Sequence, residues 1–342
     1  MRKIGKVIFV LFVQTVLLVS PSFGQYEDWD RIKSLTGQWK FSIGDNPEWA
    51  TKNFRDDGWE SIYVPSAWEN EGFYGYDGYA WYRRSFNGAE LRGKGDVYLM
   101  LGNIDDADEV YVNGNLVGFS GGFPPKYHTA YKALRIYYVP SVFIDPNDKN
   151  TIAVKVYDSH GEGGIFSGPI GFYRPSDFVY MEYELQGIWE LKLSRGKPLP
   201  EEAFEENNGE WLRIMVPAIW KSVGYWDYEG FGIYRKAFRY SGDTDDKYLV
   251  MGRIDDFDEV YLNGEFLGRT KDWKPLGQSG SYRKLRIYKI PDGLLKKKGN
   301  NTLTVIVENI GHHGGIHQGP VGIIDESKVN SVKLYGDNYW KK

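Results

Sequence analysis

The sequence predicts an all-β protein built from two tandem antiparallel β-sandwich domains of the jelly-roll type, and three observations support this. The chain repeats itself, since residues 104–114 read IDDADEVYVNG and residues 254–264 read IDDFDEVYLNG. Other matching segments follow in the same order, about one domain length apart. Short apolar or alternating runs, separated by Gly and Pro, are typical of strands, and convincing amphipathic helices are absent.

The N-terminal residues predict a secretory signal. A basic start, an apolar run over residues 7–19 and a small-x-small site at residues 22–24 predict a signal peptide over residues 1–24, cleaved near Gly24. The apolar run is too short for a spanning helix, and no later segment predicts a membrane span. We therefore expect a periplasmic or secreted protein.

The rest of the chain divides into two domains and a short end. We predict a first β-sandwich over residues 30–175, a second over residues 182–325, and a final short strand or tail over residues 326–342. The connector at residues 174–177 is too short to act as a loose tether, so we expect the domains to touch.

Hairpin and strand signals recur at matched positions. Asn113-Gly114 and Asn263-Gly264 each separate two apolar runs, which is the strongest short hairpin signal because both residues tolerate positive φ. Residues 151–157 (TIAVKVY) and 302–308 (TLTVIVE) alternate with a period of two, as strands do.

Composition excludes several classes of partner and chemistry. Net charge is −4 with no basic stripe, so nucleic acid is not an expected partner. The chain has no cysteine, which excludes disulfides, thiol catalysis and cysteine–metal sites. Aromatic residues make up 16% of the chain, and Tyr and Trp offer apolar faces with a polar handle that suit sugar rings. Jelly-roll cores are also aromatic-rich, so this signal has a structural alternative.

Several motifs resemble a known carbohydrate-related fold. Residues 64–68 (VPSAW), 81–86 (WYRRSF) and 108–114 (DEVYVNG) are similar to the N-terminal sugar-binding β-sandwich of family-2 glycoside hydrolases. The acidic form of the last motif, with the closing GGIFSGP at residues 163–169, is also similar to the sandwich attached to sialate O-acetylesterases. The resemblance covers both repeats. It implies tandem galactose-binding-like domains and an association with carbohydrate.

The resemblance does not extend to the catalytic domains of those families. Family-2 glycosidases use two carboxylates on a (β/α)₈ barrel, which needs about 250 residues and cannot fit beside the two repeats. The hydrolase domain of the esterases also has no counterpart here. The resemblance therefore implies fold and ligand class, and does not imply an activity.

An acidic run occurs at the same place in both repeats. Residues 105–109 and 255–259 each carry four carboxylates just before a predicted hairpin. Carboxylates at such a position cap turns and hydrogen-bond to backbone groups at strand ends. These roles explain the run without a catalytic function, so we interpret it as structural. We predict no cofactor and no metal site, with a structural calcium ion as the open alternative.

Histidines gather in one pair of matched Gly-rich loops, at residues 159–166 and 310–317. Four of the five histidines of the chain lie there, and imidazole exchanges protons near neutral pH. A ligand or catalytic loop and an ordinary hydrogen-bonded surface loop are both open interpretations. A metal site is disfavoured because no carboxylate is spaced to complete it. The candidate catalytic residues are His312, His313, His317, Arg235 and Tyr228.

Aromatic loops supply the second set of candidates. Residues 73–81 align with residues 225–233, and each loop brings Tyr or Trp beside a carboxylate and an Arg, as a sugar or an acidic sugar would require. The loop residues His128 and Trp273 are predicted to rim the same pocket. The candidate ligand-binding residues are Tyr74, Tyr76, Asp77, Arg83, His128, His160, Glu162, Trp226, Glu229 and Trp273.

These patterns leave three hypotheses open. The first is an exported protein that recognises oligosaccharides, including anionic ones, during polysaccharide degradation, together with other degrading enzymes. The second is a stand-alone lyase or dehydratase that performs β-elimination on uronic acids with a His base, a Tyr acid and an Arg neutraliser. The third is a structural subunit of a glycosidase complex.

Overall fold

The computed structural model describes residues 29–338 except 132, 176–180, 199–209, 221–223, 226–227, 272–279 and 312. The predicted signal peptide therefore lies outside the described residues. Twenty strands, numbered β1–β20 in chain order, and one α-helix account for most of the described chain. No helix in this part of the chain has the length and apolar character needed to cross a membrane.

The first repeat forms two antiparallel sheets. The four-stranded sheet has the order β1 (Trp29–Ser34), β10 (Gly164–Pro175), β5 (Val97–Asp105) and β8 (Leu134–Val139). The six-stranded sheet has the order β3 (Glu60–Val64), β2 (Gly37–Ile43), β4 (Gly78–Asn87), β9 (Lys149–Asp158), β6 (Ala107–Val112) and β7 (Asn115–Ser120).

The second repeat forms the same two sheets. Its four-stranded sheet has the order β11 (Tyr183–Glu184), β20 (Gly315–Asp325), β15 (Lys247–Asp255) and β18 (Leu285–Lys289). Its six-stranded sheet has the order β13 (Leu212–Val216), β12 (Gly187–Ser194), β14 (Gly230–Arg239), β19 (Asn300–Asn309), β16 (Phe257–Leu262) and β17 (Glu265–Thr270).

The prediction of two tandem jelly-roll sandwiches is wrong. The chain is all-β, but its described strands form four small sheets of four, six, four and six strands, whereas a jelly roll divides eight strands between two sheets. Local periodicity predicts strands without specifying which distant strand each one pairs with. The strand pairs β2–β3 and β6–β7 form the two edges of the first six-stranded sheet, and the pairing of β2 with β3 is not encoded in any single segment.

Each repeat has its own hydrophobic core, to which both of its sheets contribute side chains. Leu99 and Leu101 on β5 and Val154 and Val156 on β9 belong to one continuous buried cluster in the first repeat. A separate cluster fills the second repeat. At about 25 cal/mol per Å² of apolar surface, burial of this kind is the main stabilising term of the fold.

The predicted Asn-Gly hairpins are confirmed. Asn113 and Gly114 join β6 to β7 with φ values of 50° and 83°, and Asn263 and Gly264 join β16 to β17 with 53° and 87°. These left-handed conformations are the ones that Asn and Gly adopt at low cost.

The C-terminal segment contains a helix where we expected a short strand or tail. Helix α1 (Val329–Asn338) follows β20, and Val329 and Val332 pack with Val250 and Ile324 on the outside of the second four-stranded sheet. The apolar residues of this segment lie three apart, a helical spacing that covers an otherwise exposed sheet face.

The two repeats touch, as the short connector predicts. The guanidinium of Arg213 on β13 donates to Glu109 on β6 at 3.0 Å and lies 5.2 Å from the ring centre of Phe119 on β7. The side-chain amide of Gln186 donates to the hydroxyl of Tyr98 at 2.7 Å. The second repeat thereby covers part of the six-stranded sheet of the first.

Candidate functional site

The outer face of the first six-stranded sheet is the face turned away from the core. Because side chains alternate along a strand, Tyr82 on β4 enters the core while Tyr79 and Trp81 point outwards. Cross-strand pairing places Tyr157 opposite Tyr79 and Lys155 opposite Trp81. One end of this face is therefore aromatic.

Four aromatic side chains at that end form a surface that we call the aromatic patch: Tyr79, Phe123, Tyr127 and Tyr157. The ring of Tyr79 lies 4.8 Å from that of Tyr157 and 5.7 Å from that of Phe123, and Tyr127 lies 5.6 Å from Tyr157. None of the four side chains is fully buried, and Tyr127 is 38% exposed. The patch presents flat apolar rings next to hydroxyl groups, the surface that sugar rings stack on.

The basic side chain of Lys155 lies over the aromatic patch. Its ammonium is 4.6 Å from the ring centre of Tyr79 and 4.7 Å from that of Phe123, and it pairs with Asp45 at 2.7 Å. Burial is the main reason that the pKa of Tyr79 is raised, and burial followed by the hydrogen bond to Asp106 raises that of Tyr127 to about 12. Both phenols therefore stay protonated at neutral pH and are able to donate hydrogen bonds.

Three carboxylates lie directly beside the patch, and we call them the acidic cluster: Asp105, Asp106 and Asp158. Each offers an oxygen within 4.8 Å of the other two. The hydroxyl of Tyr127 donates to Asp106 Oδ2 at 2.6 Å, and the backbone N–H of Ser159 donates to the same oxygen at 3.1 Å. The acidic cluster and the aromatic patch are thus one continuous site.

The environments of the three carboxyl groups differ. Burial, followed by a hydrogen bond with Asp106, raises the pKa of Asp105 to about 8. Burial alone would also raise the pKa of Asp106, but hydrogen bonds from Asp105, Thr129 and Tyr127 lower it to about 2. Burial and the nearby charge of Asp106 raise the pKa of Asp158 to about 6.

The acidic run that the sequence highlights therefore has two separate roles. Asp108 is buried away from the cluster and pairs with Arg135 at 2.7 Å, which agrees with our structural interpretation. Its counterpart Asp258 pairs in the same way with Arg286 at 2.8 Å. Asp105 and Asp106 instead face the loop at residues 159–163, where Asp158 joins them.

Among the residues that the structure describes, the matching place in the second repeat carries more charged side chains. A surface depression there is lined by Phe231, Phe257 and Ile306 together with charged side chains such as Lys197, Glu259 and Glu308. By the sequence repeat, Ile306 replaces Lys155 and Glu308 replaces Tyr157. The two repeats share a fold, but the described residues of the second repeat do not reproduce the four rings of the aromatic patch, and Trp273, which matches Phe123, lies outside them.

Four of the predicted ligand-binding residues are exposed, whereas Arg83 is buried. Tyr74 is 83% exposed, and Asp77, His160 and Glu162 are also exposed. Arg83, in contrast, is 2% exposed and pairs with Asp56 at 2.8 Å.

The remaining ligand-binding candidates lie in different parts of the molecule and make different contacts. Tyr76 packs edge-on against Trp68 and donates its hydroxyl to the carbonyl of Tyr79 at 2.7 Å. The ring of His128 lies against Gly224, so it joins the first repeat to the aromatic loop of the second. Glu229 is exposed, and Trp226 and Trp273 lie outside the described residues.

The candidate catalytic residues do not come together. Arg235, on the outer face of the second six-stranded sheet, pairs with Glu190 at 2.8 Å and lies 4.1 Å from the ring centre of Trp211. His317 is on β20 of the opposite sheet, where its Nε2 lies 3.1 Å from the carbonyl of Tyr282 and burial lowers its pKa.

The other candidate catalytic residues do not place a His, a Tyr and an Arg together either, as far as the structure describes them. Tyr228 packs against Trp220, His313 is exposed, and His312 lies outside the described residues. The described residues thus offer no assembled His–Tyr–Arg constellation, and the lyase hypothesis has no support.

Sequence reasoning missed Phe123, Tyr127 and Tyr157 and interpreted Asp105 and Asp106 as structural. Tyr157 ends an alternating strand whose inward residues are Val154 and Val156, so its outward direction was readable from the period of two. No local signal shows that the loop carrying Phe123 and Tyr127 folds back onto that strand.

Comparison with known proteins gives one family match. Residues 204–313 match the model of the β-galactosidase second all-beta domain. No curated protein matches the chain. The match supports a domain like the non-catalytic domains of family-2 glycosidases and indicates a carbohydrate-related protein. The resemblance to sialate O-acetylesterases stays an expectation from the sequence.

Solved structures similar to the chain include three bacterial enzymes. A calcium binding mutant of Bacteroides uniformis beta-glucuronidase 2 has 16% identity and a TM-score of 0.37, with 82% of this chain and 28% of that chain covered. A family-2 beta-galacturonidase from Eisenbergiella tayi, bound to glycerol, has 16% identity and a TM-score of 0.31, with 81% and 37% covered. Ruminococcus gnavus beta-glucuronidase has 16% identity and a TM-score of 0.31, with 83% and 43% covered. This chain spans less than half the length of each.

Proposed function

We propose that this chain is an exported protein that binds oligosaccharides through the aromatic patch of its first repeat. The observation that carries the proposal is the cluster of four partly exposed rings, Tyr79, Phe123, Tyr127 and Tyr157, on one sheet face beside hydrogen-bonding carboxylates. Aromatic faces bury the C–H side of a sugar, and nearby carboxylates accept hydrogen bonds from its hydroxyl groups.

The charges around the patch favour a neutral glycan. Exposed Asp77 and Glu162 lie nearby in the chain, and the ammonium of Lys155 over the patch is already paired with Asp45. The sequence suggested an anionic sugar through Arg83 and Arg235, but both guanidinium groups are paired with carboxylates of this chain. A carboxylated sugar on the patch would meet like charge, which disfavours binding.

Export and the role in polysaccharide breakdown complete the proposal. The basic and apolar N-terminal residues support export. The family match to a β-galactosidase domain supports a place among carbohydrate-related proteins. The chain then holds a neutral oligosaccharide and works with separate enzymes that cleave it.

Calorimetric titration of the mature chain, starting at Gln25, tests the proposal. A panel of neutral galactose- and glucose-containing oligosaccharides is compared with uronate oligosaccharides of the same length. We expect binding to at least one neutral member, and Tyr157→Ala should weaken it by about tenfold through loss of one stacked ring. Glu308→Ala, the same substitution at the matching position of the second repeat, should leave the affinity unchanged.

Two results would contradict the proposal. One is the absence of binding across the neutral panel by a folded chain. The other is an equal affinity of the Tyr157→Ala variant and the unaltered chain, which would move the site away from the aromatic patch.

A further inference from the structure

We propose that Asp105, Asp106 and Asp158 bind a calcium ion beside the loop at residues 159–163 of the first repeat. The proposal concerns the acidic cluster itself and holds whether or not the aromatic patch binds a glycan.

The geometry of the acidic cluster suits calcium. Its three carboxylates offer oxygen atoms within 4.8 Å of one another, and oxygen is the ligand that calcium prefers. Calcium–oxygen distances of about 2.3–2.6 Å place ligands on opposite sides of the ion about 5 Å apart, whereas magnesium draws them to about 4 Å. Asp106 and Asp158 are buried and Asp105 is partly exposed, so the cluster has a solvent-facing side through which an ion can enter.

An unsatisfied oxygen points to a ligand independently of the cluster. Asp158 is fully buried, and its Oδ1 accepts the backbone N–H of His160 at 3.3 Å. Its Oδ2 is buried without a hydrogen-bond partner among the described residues. A buried carboxylate oxygen without a donor or a cation is costly, and the adjacent carboxylates make it costlier.

In the second repeat, the side chain at the position of Asp158 has hydrogen-bond partners at both ends and needs no ion. The residue that matches Asp158 is Asn309, whose Oδ1 accepts the backbone N–H of Gly311 at 3.2 Å. Its Nδ2 donates to the carbonyl of Tyr228 at 2.6 Å, so both ends of the amide are used. A carboxylate has no N–H to donate, and this is the contact that Asp158 lacks.

A fourth carboxylate adds to the negative charge of the first repeat. Glu69 Oε2 accepts the backbone N–H of Gly163 at 3.1 Å, and Glu69 Oε1 is buried without a hydrogen-bond partner in the described part of the chain. The matching residue in the second repeat is Lys221. In that repeat the corresponding backbone N–H, that of Gly314, donates to Asp255 Oδ2 at 3.3 Å instead.

Within the described ranges, no basic side chain forms an ion pair with the acidic cluster. Among the described residues, neither its three carboxylates nor Glu69 forms an ion pair with Lys, Arg or His. The nearest buried guanidinium, Arg135, is committed to Asp108. Carboxylates this close cannot all be ionised unless a cation lies between them, and the first repeat carries more of them than the second.

Calcium titration of the chain freed of metal with EDTA tests the proposal, with no glycan present. Calorimetry should give one calcium ion per chain, and about 1 mM calcium should raise Tm by about 3 °C or more. Asp158→Asn should abolish both signals. Because Asn occupies the matching position of the second repeat, this variant is expected to fold, which circular dichroism checks.

A matched control uses Asp255→Asn, the second-repeat counterpart of Asp105→Asn. We expect Asp105→Asn to weaken calcium binding by tenfold or more and Asp255→Asn to leave it unchanged. The proposal is overturned if the unaltered chain gives no calcium signal, which would mean that a proton alone satisfies Asp158, or if the Asp158→Asn variant responds to calcium like the unaltered chain.

Discussion

Replacing Arg135 by Leu tests whether one buried ion pair holds the first repeat and its candidate site together. The Nε of Arg135 donates to Asp108 at 2.7 Å, and both side chains are 0% exposed. Its two Nη atoms donate to the backbone carbonyls of Ala130, Ala133 and Asp106. Arg135 therefore positions the segment that carries Asp106 and the loop that follows Tyr127.

The expected loss follows from these contacts. Leu leaves Asp108 as a buried charge whose remaining partner is the hydroxyl of Tyr137 at 2.5 Å, and it removes one of the donors to each of three carbonyls. Removing one partner of a buried ion pair costs about 3–5 kcal/mol. With a urea m-value of about 2 kcal/mol per M, the unfolding midpoint of the first repeat should fall by about 2 M.

Urea denaturation followed by tryptophan fluorescence measures this change. Arg55→Leu is the control, because Arg55 is 89% exposed and pairs with Asp57, which is 78% exposed. The midpoint of the control should stay at that of the unaltered chain. A fall of less than about 0.5 M for Arg135→Leu would refute the reasoning, since the pair would then contribute no more than a surface contact.

Three further predictions concern stability. The pKa of His317 is lowered by burial, so the folded state favours the neutral imidazole and Tm should fall as pH drops below about 6.5. Thermal melts at pH 5 and pH 8 measure this fall, and His317→Asn should reduce it. Burial raises the pKa of Glu184 from 4.5 to about 7, so the stability contributed by its neutral carboxyl group is present below pH 4.5 and is lost as pH rises through 7. Glu184→Gln should therefore raise Tm relative to the unaltered chain at pH 8 and not at pH 4. Gly102 has φ of 60° and an added Cβ would lie 1.8 Å from the carbonyl oxygen of Ser167, so Gly102→Ala should lower the urea midpoint, and an unchanged midpoint would contradict this close approach.

Features that repeat or that are local were predictable from the sequence. The duplication is readable because residues 104–114 and 254–264 are nearly identical, and it leads to two units with the same sheet order. The hairpins at Asn113-Gly114 and Asn263-Gly264 follow from the φ preference of two adjacent residues. The all-β class follows from many such local signals.

Features that depend on distant segments were not predictable. Tyr79, Phe123 and Tyr157 come from three separate parts of the chain, and their proximity depends on how β4 pairs with β9 and how a loop folds back. Arg83 and Arg235 align in the repeat, yet one is enclosed by Asp56 and the other lies between Glu190 and Trp211. Alignment shows that two residues are equivalent in position and does not show their surroundings.

The histidine loops illustrate the same limit. Histidines close together in the sequence suggested one chemical site. In the structure His313 is exposed on the loop, whereas His317 lies two residues into strand β20 with its ring against the Tyr282 carbonyl. A strand start inside the motif separates side chains that the sequence places together.

A crystal structure of the mature chain with a bound neutral oligosaccharide measures the central claim most directly. The proposal predicts a sugar ring stacked at about 4 Å on Tyr157 or Phe123, with a hydroxyl group donating towards the acidic cluster. A sugar found on the outer face of the second repeat, or on the loop at residues 225–229, with the aromatic patch vacant, would contradict it.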